Sequence, residues 1–182
     1  MVKRLTLPLS REEIANLKIG ETVLLTGTMY TGRDAAHKRL VELINNKETL
    51  PIDLKDATIY YVGPTPAKPN EIIGSAGPTS SYRMDPYTEP LLKQGLKIMI
   101  GKGPRSKDYK KLLKKYKAIY ISAIGGAAAK ISESIKKCEL VCYEDLGPEA
   151  IYKLEVKDFF GIVTYDINGN DLFEEGIKTY KE

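Results

Sequence analysis

The sequence predicts an α/β protein: a parallel or mixed sheet with helices packed against it. Two observations carry this. From residue 57 onward, runs with the apolar pattern of strands alternate with runs of helical period. The chain is also long enough, at 182 residues, and apolar enough, at 42% hydrophobic against 29% charged, to bury a core of ordinary size. No internal repeat, low-complexity tract or linker interrupts it, so residues 1–182 are expected to form one domain.

The elements follow in chain order. SREEIANL (10–17) sets Glu13 three residues after Ser10, a capping box that starts a short helix. ETVLLTGTMYTG (21–32) reads as a strand ending in a glycine turn. RDAAHKRLVELINN (33–46) is a helix, because Ala36, Leu40, Leu43 and Ile44 share one face. ATIYYVG (57–63) is a strand and GPTPAKPN (63–70) a proline-rich surface loop. In PYTEPLLKQG (86–95), Pro86 suits the first turn of a helix and Gly95 its C-terminal cap. LKIMIGKG (96–103) is a buried strand that breaks at glycines. A helix over 106–116 and the strand AIYISA (118–123) come next. IGGAAAKISESIKK (124–137) is a glycine turn leading into a helix. CELVCY, IYKLEV and GIVTYDINGN read as three further strands, with NGN (168–170) a hairpin turn signal.

Composition excludes several classes. No apolar run approaches the roughly 18–20 residues that span a bilayer, so no membrane association is expected. MVKRLTLPLS lacks a long apolar core and a small-residue cleavage site, which makes the cytoplasm the expected compartment. The net charge of +4 is mild, and the basic stretch SKDYKKLLKKYK (106–117) is the solvated face of a helix whose Leu112, Leu113 and Tyr116 point inward. Nucleic acid is therefore not an expected partner. Cys138 and Cys142, four apart on a strand, fall on one face and too far apart for a relaxed disulfide. With His37 as the only histidine, the chain is not expected to build a Cys/His metal site of its own.

Chemistry in α/β proteins gathers at loops beyond the carboxyl ends of strands. Three such loops combine small residues with a cation: TGRDAAH with Arg33, GPTSSYRMD with Arg83, and GKGPRS with Lys102 and Arg105. A fourth, IGGAAA, is uncharged but opens a helix. Small residues let backbone approach a ligand, arginine grips a carboxylate with two parallel donors, and lysine adds a point charge. Together these loops suit a small dicarboxylate or one phosphate. The phosphate-loop pattern G-x-x-x-x-G-K-[ST] is absent, which argues against a nucleotide. His37 lies one turn after Arg33 on the same helix face. The residues by themselves name no reaction.

Five blocks, in order, carry a resemblance: LLTGTMYTGRDAAHKRL, GSAGPTSSYRMD, IGKGPRS, AIGGAAA and YEDLGPEAIYKLEVKDF. They resemble the beta subunit, or fused C-terminal domain, of class I iron–sulfur fumarate hydratases, whose near relatives are the tartrate dehydratases. The resemblance implies a swivelling β/β/α domain and a reversible hydration of fumarate to malate. It implies a hetero-oligomer in which a partner alpha subunit holds a [4Fe–4S] cluster, this chain binding none. Residue by residue, it implies that Arg33, Arg83 and Lys102 bind the dicarboxylate, and that Thr79 stands at the proton-transfer position, helped by an aspartate of the partner. His37 is implied as an acid–base or supporting group. Ser80, Ser81 and Tyr82 depart from the family's usual GPTTAGRMD. Asp85, Arg105 and Ser106 favour fumarate over tartrate. A tartrate dehydratase subunit and a non-catalytic anion-binding module remain the alternatives.

Overall fold

A computed structural model of the chain describes residues 1–124 and 128–180. In chain order the elements are β1 (Val2–Thr6), α1 (Arg11–Ala15), β2 (Thr22–Thr31), α2 (Asp34–Asn45), β3 (Thr58–Tyr60), α3 (Asp85–Lys93), β4 (Ile98–Gly101), α4 (Lys107–Tyr116), β5 (Ile119–Ser122), α5 (Ala128–Ser134), β6 (Ile135–Cys142), β7 (Ile151–Tyr165) and α6 (Leu172–Tyr180). Short 3₁₀ turns run over Ser81–Met84 and Glu144–Glu149.

Strands β1 to β5 run parallel in sequence order, and β7 pairs antiparallel with β5, with β2 and with β6. Because β7 touches both β5 and β2, the five strands β2-β3-β4-β5-β7 close into a mixed barrel, with β1 and β6 added outside it. The expected α/β class with a mixed sheet and flanking helices is thus the observed one.

Alternation along the strands builds two cores. Leu25, Tyr60, Ile98, Ile100, Ile119, Ile121 and Phe159 turn into the barrel lumen with their neighbours. Ile59, Tyr61, Met99 and Tyr120 turn outward instead, under Ala36 and Leu40 of α2, Leu91 and Leu92 of α3, and Tyr109 and Leu113 of α4. Capping fixes where two of the helices start. Ser10 and Glu13 form the reciprocal box at α1, and the Ser106 hydroxyl accepts from the Tyr109 N–H at α4.

Several boundaries differ from the sequence reading. β1 was not foreseen, because only its parallel pairing with β2 makes it a strand. The expected helix over 124–137 is shorter. Residues 125–127 of IGGAAA lie outside the described residues, α5 ends at Ser134, and the chain from Ile135 extends to pair with β7. IYKLEV and GIVTYD are one strand, whose bulge places Asp158 at φ 53° with its N–H on the Thr26 hydroxyl. NGN does form a turn, held by Asp166, but its far side makes one bridge (Tyr165 with Asp171) before α6 begins.

The two thiols do not share a face. A bulge between Leu140 and Cys142 breaks the alternation, so Cys138 packs on the lumen cluster and Cys142 on the outer one. No helix among the described residues is long and apolar enough to cross a membrane.

Candidate functional site

Parallel strands share one carboxyl edge, and β2, β3 and β4 deliver their loops to it. Arg33 follows β2, the Thr79–Arg83 loop follows β3, and Lys102 follows β4. The fold therefore gathers Arg33, Thr79, Arg83 and Lys102 on one edge, as the loop chemistry suggested.

Arg33 is the N-cap of α2, and its side chain lies flat over Gly63. A Cβ at Gly63 would come within 2.9 Å of Arg33 Cδ, so only glycine leaves that path open. The Arg33 guanidinium stands 3.9 Å from Glu149, and Arg83 stands 3.5 Å from Asp34. Both pairs are long and partly exposed, so neither neutralises its arginine tightly.

Thr79 is fixed by two contacts to one acceptor. Its N–H and its hydroxyl both donate to the Tyr61 carbonyl, each at 2.9 Å. The hydroxyl proton points at backbone, and the oxygen lone pairs remain free to accept.

Lys102 is exposed, and its backbone is stitched to the Thr79 loop. Ser81 N–H donates to the Lys102 carbonyl at 3.0 Å, and Lys102 N–H donates to Ser81 Oγ at 2.9 Å. The Tyr120 hydroxyl also donates to Ser81 Oγ at 2.9 Å. A Cβ at Gly101 would fall 1.8 Å from that oxygen, so the glycine is what admits Ser81.

His37 lies beneath the edge, 1% exposed, against the Tyr61 ring. Its Nδ1 meets the Arg33 carbonyl at 2.7 Å, which requires a proton on Nδ1 and leaves Nε2 an acceptor when the ring is neutral. Burial lowers its pKa to about 4, against a raising contribution from that hydrogen bond. His37 is therefore neutral at neutral pH and sits under Arg33 rather than on the open edge.

Arg105, grouped with the cationic loops by sequence, turns inward instead. Its side chain is 0% exposed, ion-paired to Asp85 and stacked 3.7 Å from the Tyr109 ring centroid. Of the two cations in the GKGPRS loop, only Lys102 is thus presented to solvent. Asp34, Glu149, Ser81 and Tyr61 were missed. Asp34 could have been found by its place beside Arg33. The others are brought in only by tertiary packing.

Among the described residues, five buried side-chain polar atoms lack a hydrogen-bond partner, and three of them (Arg33 Nε, Asp34 Oδ1 and His37 Nε2) sit within one turn at this edge. Buried polar groups are normally paired, so this cluster is chemically unfinished.

The residues do not fit an iron–sulfur cluster. The two thiols lie on β6, packed against separate cores, and burial raises both above their usual range. No group of three His, Cys, Asp or Glu among the described residues could hold a metal.

Residues 2–176 match the family model described as Fumarase C-terminus. The chain is 41% identical over 165 residues to "Fumarate hydratase class I, aerobic" of Escherichia coli K12, covering 90% of this chain and 30% of that protein. It is 39% identical to "Putative fumarate hydratase class I" of Geobacillus stearothermophilus, covering 92% of this chain and 33% of that one. It is 38% identical to "Putative L(+)-tartrate dehydratase subunit beta" of Methanocaldococcus jannaschii, covering 92% of this chain and 89% of that one. The chain thus spans about a third of the two hydratases and most of the tartrate dehydratase subunit. It belongs to the fumarase C-terminus family, as a homologue of the C-terminal part of class I fumarate hydratases and of a tartrate dehydratase beta subunit.

Proposed function

We propose that this chain is the dicarboxylate-binding half of a hydro-lyase, acting on fumarate and malate. The observation that supports this is the carboxyl edge itself, to which the loops after β2, β3 and β4 bring Arg33, Arg83, Lys102 and a fixed Thr79, beside buried polar atoms that lack partners. Two arginines and a lysine match the two charges of a C4 dicarboxylate, and a bound carboxylate would replace the long contacts to Asp34 and Glu149.

In this reading Arg33 and Arg83 orient the substrate, and Lys102 adds positive potential. Thr79 stands where a proton leaves C3 of malate. A threonine hydroxyl is a weak base by itself and needs a neighbouring base to take its proton. The carbonyl of Tyr61 orients that hydroxyl but cannot relieve it of the proton, so the base comes from a partner. His37 holds the Arg33 backbone through Nδ1 and works as a support, because it is buried beneath the edge.

Since these residues do not fit the family's [4Fe–4S] cluster, a partner alpha subunit would carry it. The match to a beta subunit that covers 89% of that protein supports such a two-chain arrangement. The cytoplasm is the compartment in which we place the pair.

The same match favours tartrate as a second reading. Asp85 and Arg105 pair with each other inside the protein, so they do not choose the substrate by touching it. A panel of fumarate, malate and tartrate on the two-chain complex decides. The highest kcat/KM is expected on fumarate and malate. Preference for tartrate would reassign the substrate. Dicarboxylate binding without turnover of any of the three would reduce the chain to an anion-binding module.

A further inference from the structure

The loop bearing Thr79 and Arg83 and the loop bearing Lys102 are tied twice. The first tie is the exchange between Ser81 and Lys102. The second lies just beyond both cations. Asp85 accepts from Arg105 Nε with one oxygen and from the Ser106 N–H at 2.9 Å with the other. Asp85 opens α3, and Ser106 caps α4. One carboxylate therefore locks the start of two helices together.

Arg105 is enclosed completely. Its Cζ lies 3.7 Å from the Tyr109 ring centroid, with Tyr120 at 5.0 Å and Tyr61 at 5.2 Å. Its backbone N–H donates to the Tyr165 hydroxyl at 2.8 Å. No face of this guanidinium is open to a ligand. The ring of Tyr61 packs against it, and the carbonyl of Tyr61 holds Thr79. A single tie between two loops acts as a pivot. A second, off to one side, removes the pivot.

Resting on the dicarboxylate reading above, we propose that Asp85 and Arg105 are positioning residues that fix the spacing between Arg83 and Lys102. Buried ion pairs contribute little net stability against an apolar replacement, whereas a planar guanidinium held by Asp85 at Nε, by Thr88 at Nη2 and by three rings admits one arrangement. Lysine would keep the charge of Arg105 and lose the planar group that reaches Asp85 and Thr88 together.

The test uses the full chain assembled with its cluster-bearing partner, as wild type, Arg105→Lys, Lys102→Ala and the double variant. Arg105→Lys is expected to lower kcat/KM for fumarate by about 30-fold when Lys102 is present, and by less than about threefold when it is already alanine. Equal losses on the two backgrounds would mean a merely structural role and overturn the proposal, as would a loss below about threefold on the first. Amide exchange in the full chain gives a readout free of turnover. Arg105→Lys should speed exchange at Ser81 and Lys102 by about tenfold or more and leave Ile121 in the barrel unchanged. Unchanged exchange at the two loops, or equal acceleration at Ile121, overturns the proposal. If Arg105→Lys does not fold, Asp85→Asn takes its place, with the same expectations. If the wild-type complex turns over none of fumarate, malate and tartrate, the functional reading fails, and exchange alone decides the role of the pair.

Discussion

At the rim of the site, Arg83 keeps 40% of its side chain exposed and meets Asp34 at 3.5 Å, while at the base Arg105 is wholly enclosed and locked to Asp85. The two arginines belong to loops that share hydrogen bonds, yet one stays partly exposed and loosely paired while the other is buried where it ties the loops together. The rim shows the same contrast at Arg33, whose contact with Glu149 is 3.9 Å long. A cation that a site intends to use must be positioned without being neutralised, and that needs a rigid floor beneath it. Here the floor is the outer core, where Tyr109, Tyr120 and Tyr165 pack edge to face or tilted on one another and the rings of Tyr61, Tyr109 and Tyr120 face Arg105.

The contrast can be broken or sharpened by substitution. The largest expected effect is at Thr79. Thr79→Ala in the two-chain complex should lower kcat by about 10²–10⁴ with little change in KM, since the hydroxyl matters mainly as the proton moves. Steady-state kinetics beside thermal melts would show it, and near-normal kcat in a folded complex would remove Thr79 from proton transfer. Arg105→Met comes next. It leaves Asp85 facing a cavity without its cation and should destabilise the chain by roughly 3–5 kcal/mol, whereas Arg83→Met should cost less than about 1 kcal/mol. Urea unfolding of both variants checks this, and equal losses would erase the distinction between rim and base.

His37 provides a pH test of the floor. Its folded pKa, about 4, lies below the ordinary 6.5, so the unfolded chain binds the proton more readily. Stability from this group is complete above pH 6.5 and lost as pH falls towards 4. Between pH 7 and 5 the loss should be about 2 kcal/mol, and His37→Gln should flatten that part of the profile. A wild-type profile flat over that range would show the ring to be more accessible than its packing indicates. The smallest effect is Arg83→Lys, which keeps the charge without the fork. KM should rise about tenfold with kcat little changed. Unchanged KM would take Arg83 out of carboxylate binding.

How far the sequence carries depends on how local each signal is. The capping box at Ser10 and the apolar face of α2 are written within a few residues, and both elements stand where those residues put them. β1 has no such local signal and exists through its ladder with β2. The break expected between IYKLEV and GIVTYDINGN is a bulge inside one long strand, since the barrel must bend β7 past β2. The cationic loops were legible because small residues and a cation at a strand end are a short pattern. That Arg105 turns inward was not legible, because the three rings enclosing it come from separate elements, Tyr61 just after β3, Tyr109 in α4 and Tyr120 in β5. The unpartnered atoms beside Arg33 likewise appear only once α2 packs against Tyr61.

That this chain supplies the dicarboxylate clamp and a partner supplies the cluster is tested most directly by fumarate hydration under anaerobic conditions with iron and sulfide. The chain is assayed first alone and then assembled with a cysteine-bearing alpha subunit. The account predicts no hydration by the chain alone and clear turnover once the pair is assembled, abolished again when Arg33 and Arg83 are both replaced by alanine. Robust turnover by the chain alone would contradict it.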